Sequence, residues 1–373
     1  MVVGLHIGRP WKYADSEQVY EQILRYNKID YIKLNLNDID FWEQVEQLDY
    51  FIYRFYVATD LKEQANAILP VIENYYGIKC FPNQATCWMY DDKIKEYYLL
   101  KKHGFPVIET HIFWDEETAL NWIETALFPL VFKLKSGSRS QNVILVKDKQ
   151  QARLLVKKMF DKGIDPDKSS FFMKNRLRGQ GYKEFLWDQA LRGYRFIRGV
   201  DISPYWEIHK NYVLFQEYQP NNLYDTRVTV IGDRAYALIR YNRRQDFRAS
   251  GSGKYNLDRS KIDKRCLDIA FKISDTLGFQ SMAYDFLFNI NGDPIISEIS
   301  YTYPCIDQYE EPGYFDRDFN HHAGHFWAEY FHLIDLLGLP DLKQPDHIKL
   351  ARKGIKKWKL KYLNKKKQGY TVV

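Results

Sequence analysis

The segment DFLFNINGDPIISEIS, from Asp285 to Ser300, alternates apolar and polar residues on both sides of Asn291-Gly292. An Asn-Gly pair between two such runs is a strong signal for a hairpin with a two-residue loop. Counting outward from that loop places Asp285 directly opposite Glu298, on the same face of the hairpin. Like charges in directly opposite positions destabilise a sheet, so these two carboxylates need a stabilising partner.

A bound divalent cation would be such a partner. Mg²⁺ takes oxygen ligands and commonly uses one or two carboxylates together with the phosphates of a substrate. Ser300 follows Glu298 on the same face and could add a hydroxyl ligand, while apolar Leu287 and Ile296 on that face favour an enclosed site. The sequence therefore predicts a magnesium site at Asp285, Glu298 and Ser300. In the alternative interpretation, the two acids point outward and pair with lysines.

The composition indicates a folded protein with more than one packed core, since 45% of the 373 residues are hydrophobic and 16% are aromatic. Cys80, Cys87, Cys266 and Cys305 show no C-x-x-C spacing, and we expect reduced thiols in a cytosol-like compartment. The sequence has no signal-peptide pattern and no run of 18 apolar residues, so we expect a cytoplasmic protein.

The segment from Lys349 to Val373 is strongly basic and contains no acidic residue. Ile355, Trp358 and Tyr362 recur in it at helical spacing, which favours a helix lying on an anionic membrane surface. A solvated basic helix is the alternative. The rest of the chain is mildly acidic, because the whole chain carries only +6, and we therefore expect no binding to nucleic acid.

The order of apolar and amphipathic segments predicts α/β and α+β units in four regions. Residues 1–83 alternate strand and helix patterns and predict a small parallel sheet with crossovers. Residues 84–210 predict a small α+β unit built on hairpins. Residues 211–345 add longer strands, the hairpin described above and a mostly helical end, and residues 346–373 form the basic tail.

Two further groups of residues are suited to binding anions. Lys133 and Lys135 lead into the turn-rich segment SGSRSQNV, whose hydroxyl and backbone N–H groups could surround a phosphate, although such a segment is more often a simple turn. Lys93 follows Asp92 at a helix start. Arg227, Arg240, Arg243, Arg244 and Arg248 could bind carboxylate or phosphate in a bidentate manner, and a solvated loop is the alternative.

These motifs, taken in order, resemble the ATP-grasp superfamily, nearest the branch of the ribosomal-protein glutamate ligases. The resemblance extends from about Asn83 to Ser300 and includes GFPVIET, FPLVFKLKSGSRSQNV, LFQEYQPNNLYDTRVTVIG, RYNRRQDFRASGSG and the hairpin segment. It implies an ATP-grasp fold, in which two α+β subdomains clasp ATP. Residues 1–83 look like the Rossmann-like domain that precedes them.

The resemblance also implies roles for individual residues. Lys93 and Lys133 match the lysines that reach the nucleotide phosphates, and the loop that closes over these phosphates contains Ser138, Ser140, Gln141 and Asn142. Gln216, Glu217 and Tyr218 match the strand that reads adenine. Asp285 and Glu298 match the magnesium carboxylates, with Ser300 where the family usually has Asn. The arginines that match positions near the transferred phosphate and acyl group are Arg227, Arg240 and Arg248.

The implied activity is ATP- and Mg²⁺-dependent joining of a carboxylate and an amine through an acyl phosphate. The substrates would be small molecules, glycans or peptides, with addition of an amino acid to a cell-envelope polysaccharide as one hypothesis, and a dimer is the default assembly. A nucleotide-binding scaffold without ligation and a small-molecule kinase are the alternatives. His321, His322 and His325 could contact substrate from a helix start, bind zinc or be plain surface residues.

Overall fold

The computed structural model describes residues 1–7, 16–56, 59–137, 142–165, 186, 190, 207–243, 246–250 and 252–350. The strands in these ranges are β1 Val2–His6, β2 Asp30–Leu34, β3 Tyr50–Ile52, β4 Lys79–Phe81, β5 Thr110–Phe113, β6 Leu130–Lys133, β7 Val143–Val146, β8 Val213–Glu217, β9 Tyr224–Ile231, β10 Arg234–Tyr241, β11 Tyr255–Asn256, β12 Ser281–Phe288, β13 Pro294–Ser300, β14 Gly313–Phe315 and β15 His321–Ala323. The α-helices are α1 Ser16–Tyr26, α2 Phe41–Val45, α3 Thr59–Asn74, α4 Gln84–Cys87, α5 Lys93–Lys102, α6 Glu116–Ile123, α7 Lys149–Phe160, α8 Lys264–Leu277, α9 Cys305–Glu310 and α10 Ala328–Leu337.

The N-terminal region forms a parallel sheet with the strand order β2-β1-β3-β4. Parallel neighbours require crossover connections, and helices α1 to α3 occur between the strands, as the alternating pattern predicts. Helix α3 continues through Pro70 rather than dividing there. The prediction of a small parallel sheet is therefore confirmed.

The second sheet is small and antiparallel, with the strand order β5-β8-β6-β7. Helices α6 and α7 cover it, and Phe132 and Phe215 are fully buried in the core beneath them. Strand β8 pairs with both β5 and β6, so a boundary at residue 211 would separate it from its own sheet. The sequence boundary at 211 is wrong for this reason, because the chain leaves the small sheet only after Glu217.

The large sheet is antiparallel, with the strand order β13-β12-β9-β10-β14-β15, and β11 pairs with the side of β10. Helix α8 packs its apolar face on this sheet and ends at Gly278, whose φ of 66° places it in the left-handed region typical of a helix C-terminus. The buried residues of the large sheet continue into those of the N-terminal sheet, so the two share one core.

The β12–β13 hairpin differs from the sequence prediction at its loop but not at its carboxylates. Gly292 has a φ of 78°, and its N–H donates to the Asn289 carbonyl at 3.0 Å. The Asn289 N–H donates to the Asp293 carbonyl at 3.0 Å, so residues 290–292 form a three-residue loop instead of the predicted two-residue Asn291-Gly292 loop. A β-bulge at Ser297 then shifts the register back by one residue. Asp285 consequently pairs with Glu298, and the predicted juxtaposition is confirmed.

Of the C-terminal histidines, His321 and His322 lie on a strand and His325 lies between that strand and the next helix, so the predicted helix start over them is wrong. His321 and His322 belong to β15, which pairs with β14, and the helix begins only at Ala328. The two strands approach closely at Gly313, where a Cβ atom would lie 2.1 Å from the His322 carbonyl oxygen. Pairing with the neighbouring strand β14 therefore overrides the local helical pattern.

Within the described ranges, no helix is both long and apolar enough to cross a membrane. Cys80, Cys87 and Cys266 are buried free thiols. The basic segment beyond Leu350 lies outside the described residues, and so does its predicted amphipathic helix.

Candidate active site

The candidate site lies where the small sheet meets the large one. The segment before β5 contacts β13 directly, since Ile296 N–H donates to the Pro106 carbonyl at 2.8 Å and Ile108 N–H donates to the Ile296 carbonyl at 3.0 Å. A cavity of about 20 Å³ lies beside this junction. Its polar lining includes Lys93, Lys133, Gln216 and Glu298, which come from four different elements.

Lys93 is the first residue of α5, and Asp92 caps that helix by accepting from the N–H groups of Ile94 and Lys95. The Lys93 ammonium lies 3.1 Å from Glu298 Oε1 and donates to the Gly137 carbonyl at 3.2 Å. Burial lowers its pKa, but the carboxylates of Glu298, Asp91 and Glu96 together raise the pKa above the ordinary value. Lys93 is therefore a permanent buried cation.

Lys133 ends strand β6, and its ammonium contacts the Ser297 carbonyl at 3.5 Å. Burial lowers the pKa of Lys133 to about 8, and the attraction of Glu298 only partly offsets this. Among the described residues, no carboxylate forms an ion pair with it. Lys133 is thus a buried cation without a close counterion, which favours the binding of an anion at this position.

The loop after Lys133 is held by Asp91, which the sequence analysis missed, and by Asn142, which it predicted. Asp91 Oδ1 accepts from the Gly137 N–H at 2.7 Å, and Asp91 Oδ2 lies 3.3 Å from the Lys62 ammonium. At the other end of the loop, the Asn142 side-chain amide donates to the Ser136 carbonyl at 3.1 Å. The sequence signal that could have revealed this contact is the Asp91-Asp92 pair before α5. Asp92 caps the helix, and Asp91 binds the loop.

The predicted loop residues Ser138, Ser140 and Gln141 lie outside the described part of the chain. Asn142 is described, and its side chain fits closely against Gly137, where a Cβ atom would lie 2.2 Å from Asn142 Nδ2. Gly137 also has a φ of 116°, so only glycine is suited to this position. The described ends of the loop are therefore fixed by specific contacts.

The two predicted metal carboxylates have different partners. Asp285 accepts from Arg227 Nε and Nη2 at 2.7 and 2.9 Å, and Arg240 Nη2 lies 2.6 Å from Asp285 Oδ2. Burial alone would raise the pKa of Asp285, but Arg227 and Arg240 hold it well below the usual range. Glu298 has a side chain that is 37% exposed and contacts Lys93.

Within the described ranges, neither Ser300 nor a cluster of acids completes a metal site made of protein alone. The Ser300 hydroxyl donates to the Thr302 carbonyl at 3.0 Å. In the described residues, no group of three or more His, Cys, Asp and Glu side chains could hold a metal ion. Two facing carboxylates nevertheless fit Mg²⁺ in the form in which substrate phosphates supply the other ligands.

Arg240 is the centre of a buried charge network. It donates from Nε and Nη2 to both carboxylate oxygens of Asp225 at 2.7 and 2.6 Å, in addition to its contact with Asp285. The sequence analysis missed Asp225, although Asp225 and Arg227 share one face of β9 by alternation. Arg248 is buried as well and pairs with Asp246 of its own loop.

The residues predicted to read adenine lie at and just beyond the end of β8. Gln216 is buried, lines the cavity and donates to the Thr110 hydroxyl at 3.3 Å. Glu217 is exposed, and its N–H donates to the Glu109 carbonyl at 3.0 Å. The Tyr218 ring contacts Phe247, with the ring centres 5.8 Å apart. The fold therefore brings Gln216 to the cavity with the two lysines.

Comparison with known proteins identifies the architecture. A family model described as the RimK-like ATP-grasp domain matches residues 90–164, which include Lys93, Lys133 and Gly137. The structure also resembles N5-carboxyaminoimidazole synthetase from Staphylococcus aureus, solved with ADP, with a TM-score of 0.54 and 13% identity over 94% of this chain and 79% of that one. The chain has the ATP-grasp fold.

Two other solved structures resemble this ATP-grasp chain to a similar degree. N5-carboxyaminoimidazole ribonucleotide synthetase from Thermotoga maritima gives a TM-score of 0.51 at 13% identity, covering 93% of this chain and 78% of its own. D-alanine–D-alanine ligase from Bacillus anthracis gives 0.50 at 13% identity, covering 82% and 88%. No curated protein sequence matches the chain. The ATP-grasp fold expected from the order of motifs is thus confirmed.

Proposed function

We propose that this ATP-grasp protein is an ATP- and Mg²⁺-dependent carboxylate–amine ligase. The observation that carries the proposal is the meeting of Lys93, Lys133 and Glu298 in one cavity between the two sheets. Two buried ammonium groups suit a polyphosphate, and the solved neighbours include ligases with this fold.

The proposed reaction has two steps. The substrate carboxylate attacks the γ-phosphate of ATP and releases ADP, and an amine then attacks the acyl phosphate and releases inorganic phosphate. Charge develops on the phosphoryl oxygens in both steps, so Lys93 and Lys133 would stabilise the transition states by electrostatic attraction. Mg²⁺, held by Asp285 and Glu298, would add positive charge at the phosphates. Arg227 and Arg240 would position Asp285.

Binding of the nucleotide requires the cavity to widen. Its volume of about 20 Å³ admits roughly one water molecule, far less than a nucleotide occupies. The contacts that close it are the Lys133 contact with the Ser297 carbonyl and the Lys93–Glu298 ion pair. Both join the small sheet or α5 to β13, so ATP would replace these contacts as the phosphates enter.

The proposal is tested by incubating the protein with ATP, MgCl₂ and mixtures of amines and carboxylates, including amino acids and uronic acids. Formation of ADP together with an amide supports ligation. A stable phosphoester product would indicate a kinase instead. Glu298→Gln should lower Mg²⁺-dependent turnover, whereas Glu117→Gln, on the exposed face of α6, should not.

A scaffold that binds nucleotide without ligation is the second candidate. The observation that favours it is the complete engagement of the Asp285 carboxylate by Arg227 and Arg240, which a metal ion would have to displace. Ser300, which stands where the resemblance leads us to expect Asn, also favours the scaffold. ATP binding without turnover, under every substrate combination, would support the scaffold.

We also propose a cytoplasmic protein that acts at the inner face of the membrane, where it attaches an amino acid to a cell-envelope glycan or peptide. The support is the basic segment from Lys349 to Val373. Deletion of residues 351–373 should weaken binding to vesicles containing anionic lipid and leave ATP hydrolysis unchanged. Equal vesicle binding by both forms would contradict membrane contact.

A further inference from the structure

Four exposed apolar side chains form an aromatic patch on the N-terminal region. The rings of Trp42 and Tyr76 stack with their centres 5.7 Å apart and 12° between their planes, and each residue is 40% exposed. Tyr75, the neighbour of Tyr76, is 84% exposed, and Ile39, which precedes Trp42 on the same segment, is fully exposed. Single exposed apolar residues are ordinary, whereas a contiguous group of them marks an interaction surface.

The segment that carries Ile39 and Trp42 is strongly acidic. Residues 34–53 include no Lys or Arg. The exposed carboxylates nearest to Trp42 in the chain are those of Asp38, Asp40, Glu43 and Glu46. Asp40 stands at the N-cap of α2 but makes no side-chain capping bond, and in the described part of the chain none of the four carboxylates forms an ion pair. The patch therefore suits a partner that is both basic and aromatic.

The C-terminal segment of this chain is fastened to the same region by two side-chain amides of α1. Asn27 accepts from the Lys343 N–H at 2.9 Å and donates to the Lys343 carbonyl at 2.7 Å. Gln22 accepts from the Lys349 N–H and donates to the Lys349 carbonyl, both at 2.9 Å. Each amide thus makes the two hydrogen bonds that a residue of a neighbouring antiparallel strand would make. Leu350, the last residue of this described segment, packs in the apolar cluster of α1 and the N-terminal sheet.

Residues 351–373 have a composition that is complementary to the patch. They contain nine Lys and Arg residues and no acidic residue, and Trp358 and Tyr362 lie among these cations. Opposite charge on two segments favours their association, and lysine and arginine also bind the faces of exposed aromatic rings. The partner that the patch suits is therefore present in the chain itself.

The length of this segment is sufficient to reach the patch. β2 and β3 lie on opposite sides of β1, so right-handed crossovers place α1 and α2 on opposite faces of the sheet. Packed layers lie roughly 10 Å apart, so the two helices are separated by roughly 20 Å around the edge strand β2. The eight residues that follow Leu350, up to Trp358, span roughly 26–29 Å when extended. Trp358 can therefore reach Trp42.

We propose that residues 351–373 dock on the aromatic patch of their own chain. The lysine and arginine side chains lie beside the four exposed carboxylates, and Trp358 covers the Trp42–Tyr76 pair. Anionic lipid attracts the same basic residues, so the segment binds either the patch or a membrane surface. The docking does not depend on ligase activity, and its test is carried out without lipid or ATP.

The first experiment treats the full chain with a carbodiimide, which joins lysine amines to carboxylates in direct contact, and locates the links by mass spectrometry. We expect links from lysines of residues 351–373 to the four carboxylates. In 1 M NaCl, where the screening length falls to about 3 Å, their yield should drop by about tenfold. The control is the similar group Trp114, Asp115 and Glu117 at the start of α6. No link to the four carboxylates, equal linking to the control, or a yield insensitive to salt would overturn the proposal.

The second experiment repeats the measurement with variants that keep all four carboxylates. Trp42→Ala and Tyr75→Ser should each lower the yield of links by about threefold or more, whereas Trp114→Ala should leave it unchanged. Tyr75 is the more exposed of the two, so Tyr75→Ser tests the patch even where Trp42→Ala lowers stability. Wild-type yields in both patch variants would overturn docking on the aromatic patch.

A mixture of isotope-labelled and unlabelled chains identifies the chain that supplies the segment. Links that join only residues of the same isotopic form support docking within one chain. Links between labelled and unlabelled residues would show that a second copy supplies the segment, and they would overturn the intramolecular docking.

Discussion

The two charged regions of the candidate site differ in how their charges are neutralised. The arginine cluster, formed by Arg227, Arg240, Asp225 and Asp285, pairs its charges internally at 2.6 to 2.9 Å. The lysine cavity, formed by Lys93, Lys133 and Glu298, contains one ion pair and one cation that contacts only a carbonyl oxygen. Internal neutralisation compensates the buried charges of the cluster, so that removing one partner destabilises the fold, whereas incomplete neutralisation leaves a charge available to a ligand.

The difference shows that residues of one predicted site can serve different purposes. Asp285 and Glu298 face each other across two strands, yet Asp285 belongs to the arginine cluster and Glu298 to the lysine cavity. Substitutions of the cluster arginines should therefore lower the free energy of unfolding, in addition to any effect on the Mg²⁺ that Asp285 would hold. Substitutions in the cavity should affect mainly the binding of ATP, and the four predictions below test this division.

The largest effect is expected for Arg240→Met. It leaves Asp225 and Asp285 buried with fewer partners, and breaking a buried ion pair costs about 3–5 kcal/mol. Urea unfolding followed by circular dichroism should show this loss. Arg227→Met should cost less, since the Arg227 side chain is 20% exposed and Asp285 keeps Arg240. Equal stability of the wild type and Arg240→Met would remove the proposed distinction.

Lys133→Met, in contrast to Arg240→Met, is expected to weaken ATP binding without lowering the free energy of unfolding. It should weaken ATP binding by about 1.5–3 kcal/mol, the range for hydrogen bonds to charged groups. The free energy of unfolding should stay equal or rise, because burial of the ammonium opposes folding, as the lowered pKa shows. Calorimetry with ATP and urea unfolding measure the two quantities, with Lys147→Met, at an exposed position, as the control. Unchanged ATP affinity would place the phosphates elsewhere.

The pH dependence of ATP affinity tests whether the positive charge of Lys133 contributes to ATP binding. Lys133 loses its proton as the pH rises through about 8, so the affinity of the free protein for ATP should fall by about tenfold, or 1.4 kcal/mol, for each further pH unit. Lys93 stays charged over this range. Lys133→Arg should remove the part of the dependence that comes from residue 133, because arginine stays protonated. Glu96 lines the same cavity, and burial raises its pKa to about 8, so its ionisation accounts for any dependence that remains. A flat profile in the wild type would contradict control by Lys133.

The smallest effect is expected for Ser300→Asn, which introduces the amide that the resemblance to the ATP-grasp superfamily leads us to expect at this position. An amide oxygen reaches further than the hydroxyl, so the Mg²⁺ concentration for half-maximal turnover should fall, by roughly tenfold or less. A titration of turnover with MgCl₂ measures the change. No change, with turnover intact, would show that the Mg²⁺ site does not involve residue 300.

Several elements of the site followed from local patterns. The Asp92 cap and the start of α5 place Lys93, and the alternation of two strands places Asp285 opposite Glu298 even though the loop and the bulge were not predicted. The bulge at Ser297 compensates for the longer loop, so the pairing was right while the register next to the turn was wrong. Alternation and capping depend on neighbours in sequence, which is why they could be predicted.

The sequence by itself determined the parallel N-terminal sheet, the order of motifs and the residue types available for phosphate and metal. The tertiary structure decided how those residues are paired. Arg227 reaches Asp285 across 58 residues, and Asp91 fixes Gly137 across 46. Burial and Coulomb attraction depend on distances in space between segments far apart in the chain, and no local pattern contains those distances.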